Sequence, residues 1–152
     1  MASTPSVYYL DDLAPGQRFV SGTLTVDEAQ ITAFAREFDP QPFHLDADAA
    51  RQHVFGGIAA SGWHTAALTM KLLVQGGAPL AGGILGVGGE ITWSRPLRPG
   101  DTIHCVTEVV SVTASRSRPD RGIATMRTET RNQHDEVVQI FVGKLIVPKR
   151  PA

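Results

Sequence analysis

Between Thr25 and Phe38, apolar side chains recur at helical spacing, at Ile31, Phe34, Ala35 and Phe38. The run Thr25-Val26-Asp27-Glu28 ahead of them reads as a capping box, in which the Thr25 hydroxyl accepts from the amide of residue 28 while Glu28 reaches back. The predicted helix stops before Pro40, because the residue preceding a proline is pushed out of the helical region. Asp39 is thereby placed just past a helix end. Asp46 is a cap for a short second helix through Ala49, Ala50 and Arg51, with Asp48 in its first turn near the positive end of the dipole, and Gly56-Gly57 breaks it. From Gly62 to Gln75 the chain is apolar on nearly every face, about 14 residues and roughly 20 Å of helix. A helix apolar all round is a buried one.

After that helix the texture changes. Gly83 to Trp93, Thr102 to Ser115, Ile123 to Asn132 and Val137 to Val147 are β-branched runs that read as strands, and Gln17 to Leu24 as a further one. Arg118-Pro119-Asp120-Arg121-Gly122 and Asn132-Gln133-His134-Asp135 are turn sequences, so the last three strands are predicted to form a meander. Pro148 and Pro151 close the chain in a tail, about 148–152, that is expected not to join a ladder. A short flexible N-terminus, about 1–7, is expected at the other end. With no repeat and no Pro/Gly/Ser-rich linker, residues 1–152 read as a single domain. One long buried helix before consecutive antiparallel strands describes an α+β layer structure, with a mainly antiparallel curved sheet wrapped around the helix.

Composition narrows the partners. The 152 residues are 42% hydrophobic and 19% charged, with a formal net charge of -1, which is globular and gives no reason to expect nucleic acid. Cys105 alone cannot form an intrachain disulfide, and Met1 to Tyr9 carry neither a basic segment nor an apolar run of signal-peptide length. A reducing, cytoplasmic setting is expected, and no stretch approaches the roughly 20 apolar residues of a membrane span.

The candidate chemistry lies in Asp39-Pro40-Gln41-Pro42-Phe43-His44. Taken singly, Asp39 is a turn former and His44 a hydrogen-bonded structural histidine. Taken together they are a carboxylate and an imidazole across a loop whose two prolines each fix φ, and such a pair can share acid and base roles on one water. Gly62 at the start of the long helix allows close backbone approach to the unpaired N–H groups there. Ser61 lacks the first glycine of a nucleophile elbow and does not follow a strand, which leaves helix capping as its role. His64 reads as a core histidine and Cys105 as a core thiol. His44, Asp46, Asp48 and His53 show no metal-ligand spacing, so no metal is expected. The glycines from Gly82 to Gly89 lack a Lys-Ser/Thr and read as close sheet-to-helix packing rather than a phosphate loop.

The segment Phe34 to Asp46 resembles the signature of the MaoC-like dehydratases, D-x-N-P-x-H-L-D, in the family that contains the R-specific enoyl-CoA hydratases. Asp39, Pro42, His44, Leu45 and Asp46 match in order and spacing, and Gln41 stands where the family usually has Asn. Phe55-Gly56-Gly57-Ile58-Ala59-Ala60-Ser61-Gly62-Trp63 looks like the family's F-G-x-P-I-A-H-G-M, with Gly62 on its glycine and Ser61 in place of its histidine. Trp93 to Thr102 is similar to the proline- and glycine-containing approach to a following strand. The likeness runs from about Tyr8 to Val147.

The resemblance implies a hot-dog fold and a homodimer or higher homo-oligomer that binds an acyl-CoA or acyl-carrier thioester. Asp39 and His44 would be the catalytic pair. Gly62 would give its backbone N–H to the thioester carbonyl, with Ser61 and Trp63 as further substrate-binding positions. The family's auxiliary serine falls at Met70. The implied reaction is (R)-specific hydration of an enoyl thioester, or the reverse dehydration, with no metal or organic cofactor, CoA being part of the substrate. Arg95, Arg98, Arg116, Arg118 and Arg121 are candidates for its phosphates. An acyl-CoA thioesterase and a non-catalytic acyl-thioester-binding subunit are the rival readings on the same fold.

Overall fold

The computed structural model describes residues 5–152. The expected N-terminal segment about 1–7 therefore lies in part outside the described residues. A 3-10 turn (Leu10–Asp12) leads to strands β1 (Arg18–Val20) and β2 (Leu24–Thr25), then helices α1 (Glu28–Phe38), α2 (Pro42–Leu45), α3 (Ala47–Arg51) and α4 (Gly62–Gly76). Strands β3 (Gly86–Trp93), β4 (Thr102–Ala114), β5 (Arg121–Arg131) and β6 (Val137–Pro148) complete the fold. They form one sheet in the order β1-β4-β5-β6-β3, with β2 also on β4 and every pairing antiparallel. The β4-β5-β6 meander matches the turn chemistry that predicts it.

The sheet curls around α4, and period-two burial shows how. Along β5, Gly122, Ala124, Met126, Thr128 and Thr130 are buried while the intervening residues are only half so, the pattern of a strand with one face on a core. Register shifts at Val109/Ser111 in β4 and Gly86/Gly88 in β3 mark bulges, which bend strands and deepen the local twist. Where the concave face meets the helix it carries hydroxyls, and they pair with each other: Thr107 with Thr128 at 2.8 Å, and Thr69 of α4 with Thr130 at 2.6 Å. Pairing removes the cost of burying them. Cys105 is fully buried in the core with Ile103 and Leu72, as expected, and burial pushes its thiol pKa up.

Several local expectations change. The cap of α1 is Asp27, whose carboxylate accepts from the Gln30 amide at 2.8 Å while the Gln30 side chain accepts from Asp27 N–H at 3.0 Å. Thr25 is drawn instead into β2, its hydroxyl on that of Thr102 at 2.7 Å, so the capping box falls two residues later. The Gln17–Leu24 strand is broken at Ser21, which hydrogen-bonds Cys105 through its own N–H and Oγ, at 2.9 and 2.8 Å. Pro148 does take part in β6, opposite Arg121. By then β3 has ended opposite Leu145, so a missing N–H need cost no ladder bond. The residues beyond are tied down as well: Lys149 N–H donates to Asp120, and Arg150 binds Asp11 and Asp12 and lies over the Tyr9 ring.

Two corrections concern the glycines and α4. A side chain on Gly89 would strike the Val142 carbonyl at 2.5 Å and the Phe141 ring at 2.9 Å, so that glycine accommodates the neighbouring strand and its aromatic ring, not the helix. Helix α4 is buried along His64, Thr65, Thr69 and Leu72 only. On its other side Trp63 and Val74 are 61% and 68% exposed, because the sheet of one chain reaches around a single flank. Among the described residues no helix is long and apolar enough to cross a membrane.

His64 is buried and stacks on Phe34 with ring centroids 4.6 Å apart, and its Nδ1 has no hydrogen-bond partner among the described residues. Burial holds its pKa below the ordinary 6.5. Unfolding restores the ordinary value, so below that pH the unfolded chain binds more protons and stability falls as the pH drops. Urea unfolding of the wild type at pH 7.5 and pH 5 should show this loss, with a slope of at most about 1.4 kcal/mol per pH unit from this group. His64→Phe, which keeps the aromatic stack, should flatten the slope in that window.

Candidate active site

Helix α1 ends where Pro40 requires it. The Asp39 N–H closes the last turn on Ala35 O at 2.9 Å, and its side chain turns into a cavity of about 380 Å³. The expected proline-stiffened loop is in fact a one-turn helix, α2, with Pro42 at its first position. Proline suits that place because its φ is already helical and the N–H it lacks would have no partner there. The turn carries His44 to Asp39, with Nε2 and Oδ2 3.3 Å apart and both side chains largely buried.

Their partners constrain protons. His44 Nδ1 lies 2.7 Å from Ala59 O. A carbonyl only accepts, so Nδ1 carries hydrogen, and Nε2 is the ring nitrogen that faces Asp39. Burial alone would raise the Asp39 pKa, but the nearby Ser61 hydroxyl, the hydrogen bond from the Gln41 amide and the adjacent His44 outweigh it and hold the carboxyl below its ordinary range. Gln41 Nε2 donates to Oδ1 at 2.6 Å, which leaves Oδ2 facing His44. Gln41, at the position where the motif has asparagine, thus supplies an amide donor to Asp39.

Ser61 is fully buried and caps α4, accepting from Trp63 N–H at 3.3 Å. The cap expected from the sequence is present, and it sets the same hydroxyl near the Asp39 carboxylate. Gly62 lines the cavity, and its N–H meets no acceptor among the described residues. A side chain at Gly62 would lie 2.4 Å from the Trp93 indole. The glycine is therefore needed for Trp93 to close over the helix end as well as for backbone access. Trp93 is held by Gln139, which accepts its indole N–H at 3.0 Å, and meets Trp63 edge to face at 5.4 Å.

Asp39, His44, Gly62 and Trp63 accordingly line one cavity, while Ser61 lies beneath it. Met70 is elsewhere, lining a second cavity of about 350 Å³ between α4 and β3/β6 that shares Trp63 with the first. The hydroxyl nearest to it in sequence, Thr69, faces Thr130 and Gln139. His53 stacks on Phe43, Asp46 caps α3 and Asp48 pairs with Arg51, so the side chains weighed as metal ligands are engaged separately. Of the five arginines, only Arg95 lines the site cavity, paired with Glu136 at 3.2 Å. Arg118 and Arg121 line another groove.

Asp39 Oδ2 and His44 Nε2, 3.3 Å apart, can both reach one water lying beside them in the cavity. The free N–H and positive dipole end of α4 can meet negative charge developing on a carbonyl oxygen in the same cavity. A family model described as the MaoC like domain matches residues 12–132. The chain belongs to the MaoC-like dehydratase family. The crystal structure of a MaoC-like dehydratase from Rhodospirillum rubrum is 56% identical, with a TM-score of 0.93, covering 95% of this chain and 99% of that one. The (R)-hydratase from A. caviae involved in PHA biosynthesis is 27% identical, with a TM-score of 0.66, over 91% of this chain and 98% of that one. Among curated proteins, the uncharacterized protein YdeM of Bacillus subtilis (strain 168) is 36% identical over 141 residues, 91% of this chain and 96% of its own length. The hot-dog fold of the MaoC-like proteins is thus the fold of this chain.

Sequence reasoning passed over the Ala59 carbonyl, Trp93 and Gln139. The Trp93–Thr102 run was the one signal for the tryptophan, and no residue pattern marks a backbone carbonyl as the partner of His44 or a glutamine 46 positions away as that of Trp93. Removing either donor to Asp39 should let its pKa climb. Gln41→Leu and Ser61→Ala are each expected to move the ¹³C carboxyl titration of Asp39 to higher pH, and Gln41→Asn to move it less than Gln41→Leu.

Proposed function

We propose that this protein is an (R)-specific enoyl-thioester hydratase, equivalently a 3-hydroxyacyl-thioester dehydratase, acting on acyl-CoA or acyl-carrier substrates. The observation that supports it most is the Asp39–His44 pair at 3.3 Å on a cavity into which the Gly62 N–H opens. In the hydration direction the water is held by Asp39 Oδ2 and His44 Nε2. Its oxygen bonds to C3 as Nε2 takes one of its protons, the C2=C3 π electrons shift toward the thioester carbonyl, and the resulting oxygen charge is met by Gly62 N–H. The imidazolium then returns its proton to C2, so H and OH are added with no other reactant. Asp39 stays ionised throughout, orienting the water and stabilising the imidazolium. Imidazole suits the shuttle because its ordinary pKa is near neutrality.

With crotonyl-CoA, loss of the enoyl-thioester absorbance without release of free thiol is the expected result. Thiol release with the double bond intact would overturn the proposal in favour of a thioesterase. Asp39→Asn and His44→Ala should each lower kcat/KM by about 10²-fold or more, the scale of general acid–base catalysis. A loss below about tenfold, roughly 1.4 kcal/mol of barrier, in both variants would point to a binding subunit whose chemistry lies elsewhere.

The reading includes a homodimer. Strand β3 is a sheet edge on which only Ile91 is even half-buried, and Leu85 and Val87 are exposed there as are Trp63, Met70 and Val74 on α4. An open apolar edge invites pairing, and a second copy can satisfy both the strand and the helix face. Sedimentation is expected to give twice the chain mass for the wild type and the single-chain mass for the double variant Val74→Glu/Val87→Glu.

A further inference from the structure

Between α3 and α4 the chain runs without regular structure from Ile58 to Ser61, yet this stretch supplies most of what arranges the site. Its Ala59 carbonyl takes the His44 Nδ1–H at 2.7 Å. Ser61 then caps α4 with its hydroxyl near Asp39, and Gly62 offers its free N–H. A few residues earlier, Phe55 packs within 6.2 Å of the His44 ring. An irregular segment has no ladder to satisfy its carbonyls, and partly buried carbonyls left unpaired are costly.

Arg98 satisfies them. Its guanidinium donates from Nη1 to Gly57 O at 2.8 Å and Ile58 O at 3.1 Å, and from Nη2 to Phe55 O. The fork lies 3.4 Å from where a Gly57 side chain would start. The neighbouring Leu97 carbonyl accepts from Ala60 N–H at 2.9 Å, so the segment is gripped on both sides of Ile58. Arg98 is itself anchored: its N–H donates to Asp101 Oδ2 at 2.8 Å, and Asp101 Oδ1 accepts from Gln133 at 2.9 Å. Half-buried and spent on three carbonyls, this arginine is occupied in a way that does not leave it for a phosphate.

We infer that Arg98 is a positioning residue of the active site: by clamping the carbonyls of Phe55, Gly57 and Ile58 it sets the Ala59 carbonyl, and through it the tautomer and orientation of His44. Only its activity arm rests on the hydratase reading. A planar fork reaches the three carbonyls from two separate nitrogens, whereas the three donors of an ammonium diverge from one, so Arg98→Lys is expected to be impaired and Arg98→Met more so.

The test uses full-length wild type, Arg98→Lys and Arg98→Met, with crotonyl-CoA and the crotonyl thioester of pantetheine, which lacks the nucleotide phosphates. The expected result is a fall in kcat of at least about tenfold in Arg98→Met for both substrates, with KM changed by less than about threefold. In ¹⁵N–¹H imidazole spectra, with the His44 signals assigned by their loss in His44→Gln, the wild type should show the Nδ1-protonated form and Arg98→Met a mixture of tautomers. Wild-type kcat together with an unchanged His44 spectrum in Arg98→Met would overturn the inference. So would a rise in KM confined to the CoA ester, which would make Arg98 a phosphate ligand. Should Arg98→Met not fold, Arg98→Lys is judged by the same two outcomes. If the wild type hydrates neither substrate, the hydratase reading fails while the imidazole spectra still decide the role of Arg98.

Discussion

Thr69 is where helix α4 is locked to the sheet. Its hydroxyl pairs with that of Thr130 on β5 at 2.6 Å and accepts from the Gln139 amide on β6 at 3.1 Å, all three residues being buried. In a dry interior a displaced hydroxyl or amide loses its partner at full desolvation cost, so such a cluster tolerates little sliding of helix over strand. The other end of Gln139 holds the Trp93 indole, and Trp93 covers Gly62. One polar cluster thus relates the axial position of α4, the start of that helix and the wall of the cavity.

From that fixed helix start the site is built outward by short-range contacts. Ser61 caps the N-terminus of α4 and lies near Asp39, at the end of α1, and the segment before it holds His44 through Ala59 O. The acid and the imidazole come from successive elements, α1 and α2, but neither element orients its own functional group. Orientation comes from residues 59–61 and from Gln41. The site is consequently as well defined as the irregular segment before α4, which is why Leu97, on the cavity wall, and Arg98, behind it, bear on its chemistry.

The mouth and the flank of the site have different character. Arg95, held by Glu136, is the charged residue at the cavity beyond the pair itself. Beyond Trp63 a second, apolar space lies between α4 and β3/β6, lined by Met70, Leu73, Ile91 and Phe141. The Gly89 and Gly143 pair on adjacent strands makes room for the Phe141 ring that closes it. A methionine rather than a hydroxyl at position 70 belongs with that apolar lining.

Local chemistry is what the residue pattern alone determined. The stop of α1 at Pro40, the Asp46 and Ser61 caps, the antiparallel meander and the Asp39–His44 spacing each depend on a few consecutive residues, and each is found in the structure. The capping box misplaced by two residues and the strand split at Ser21 failed for one reason: pairing with β4, more than 70 positions away, outweighed local propensity. The same distance hid the rest. Which nitrogen of His44 carries hydrogen, why Gly62 has no side chain, and what α4 leaves uncovered are set by Ala59 O, the Trp93 ring and the reach of the sheet. Hydrogen-bond and packing partners brought together only by the curled sheet leave no periodicity in sequence, so the tertiary structure alone could decide them.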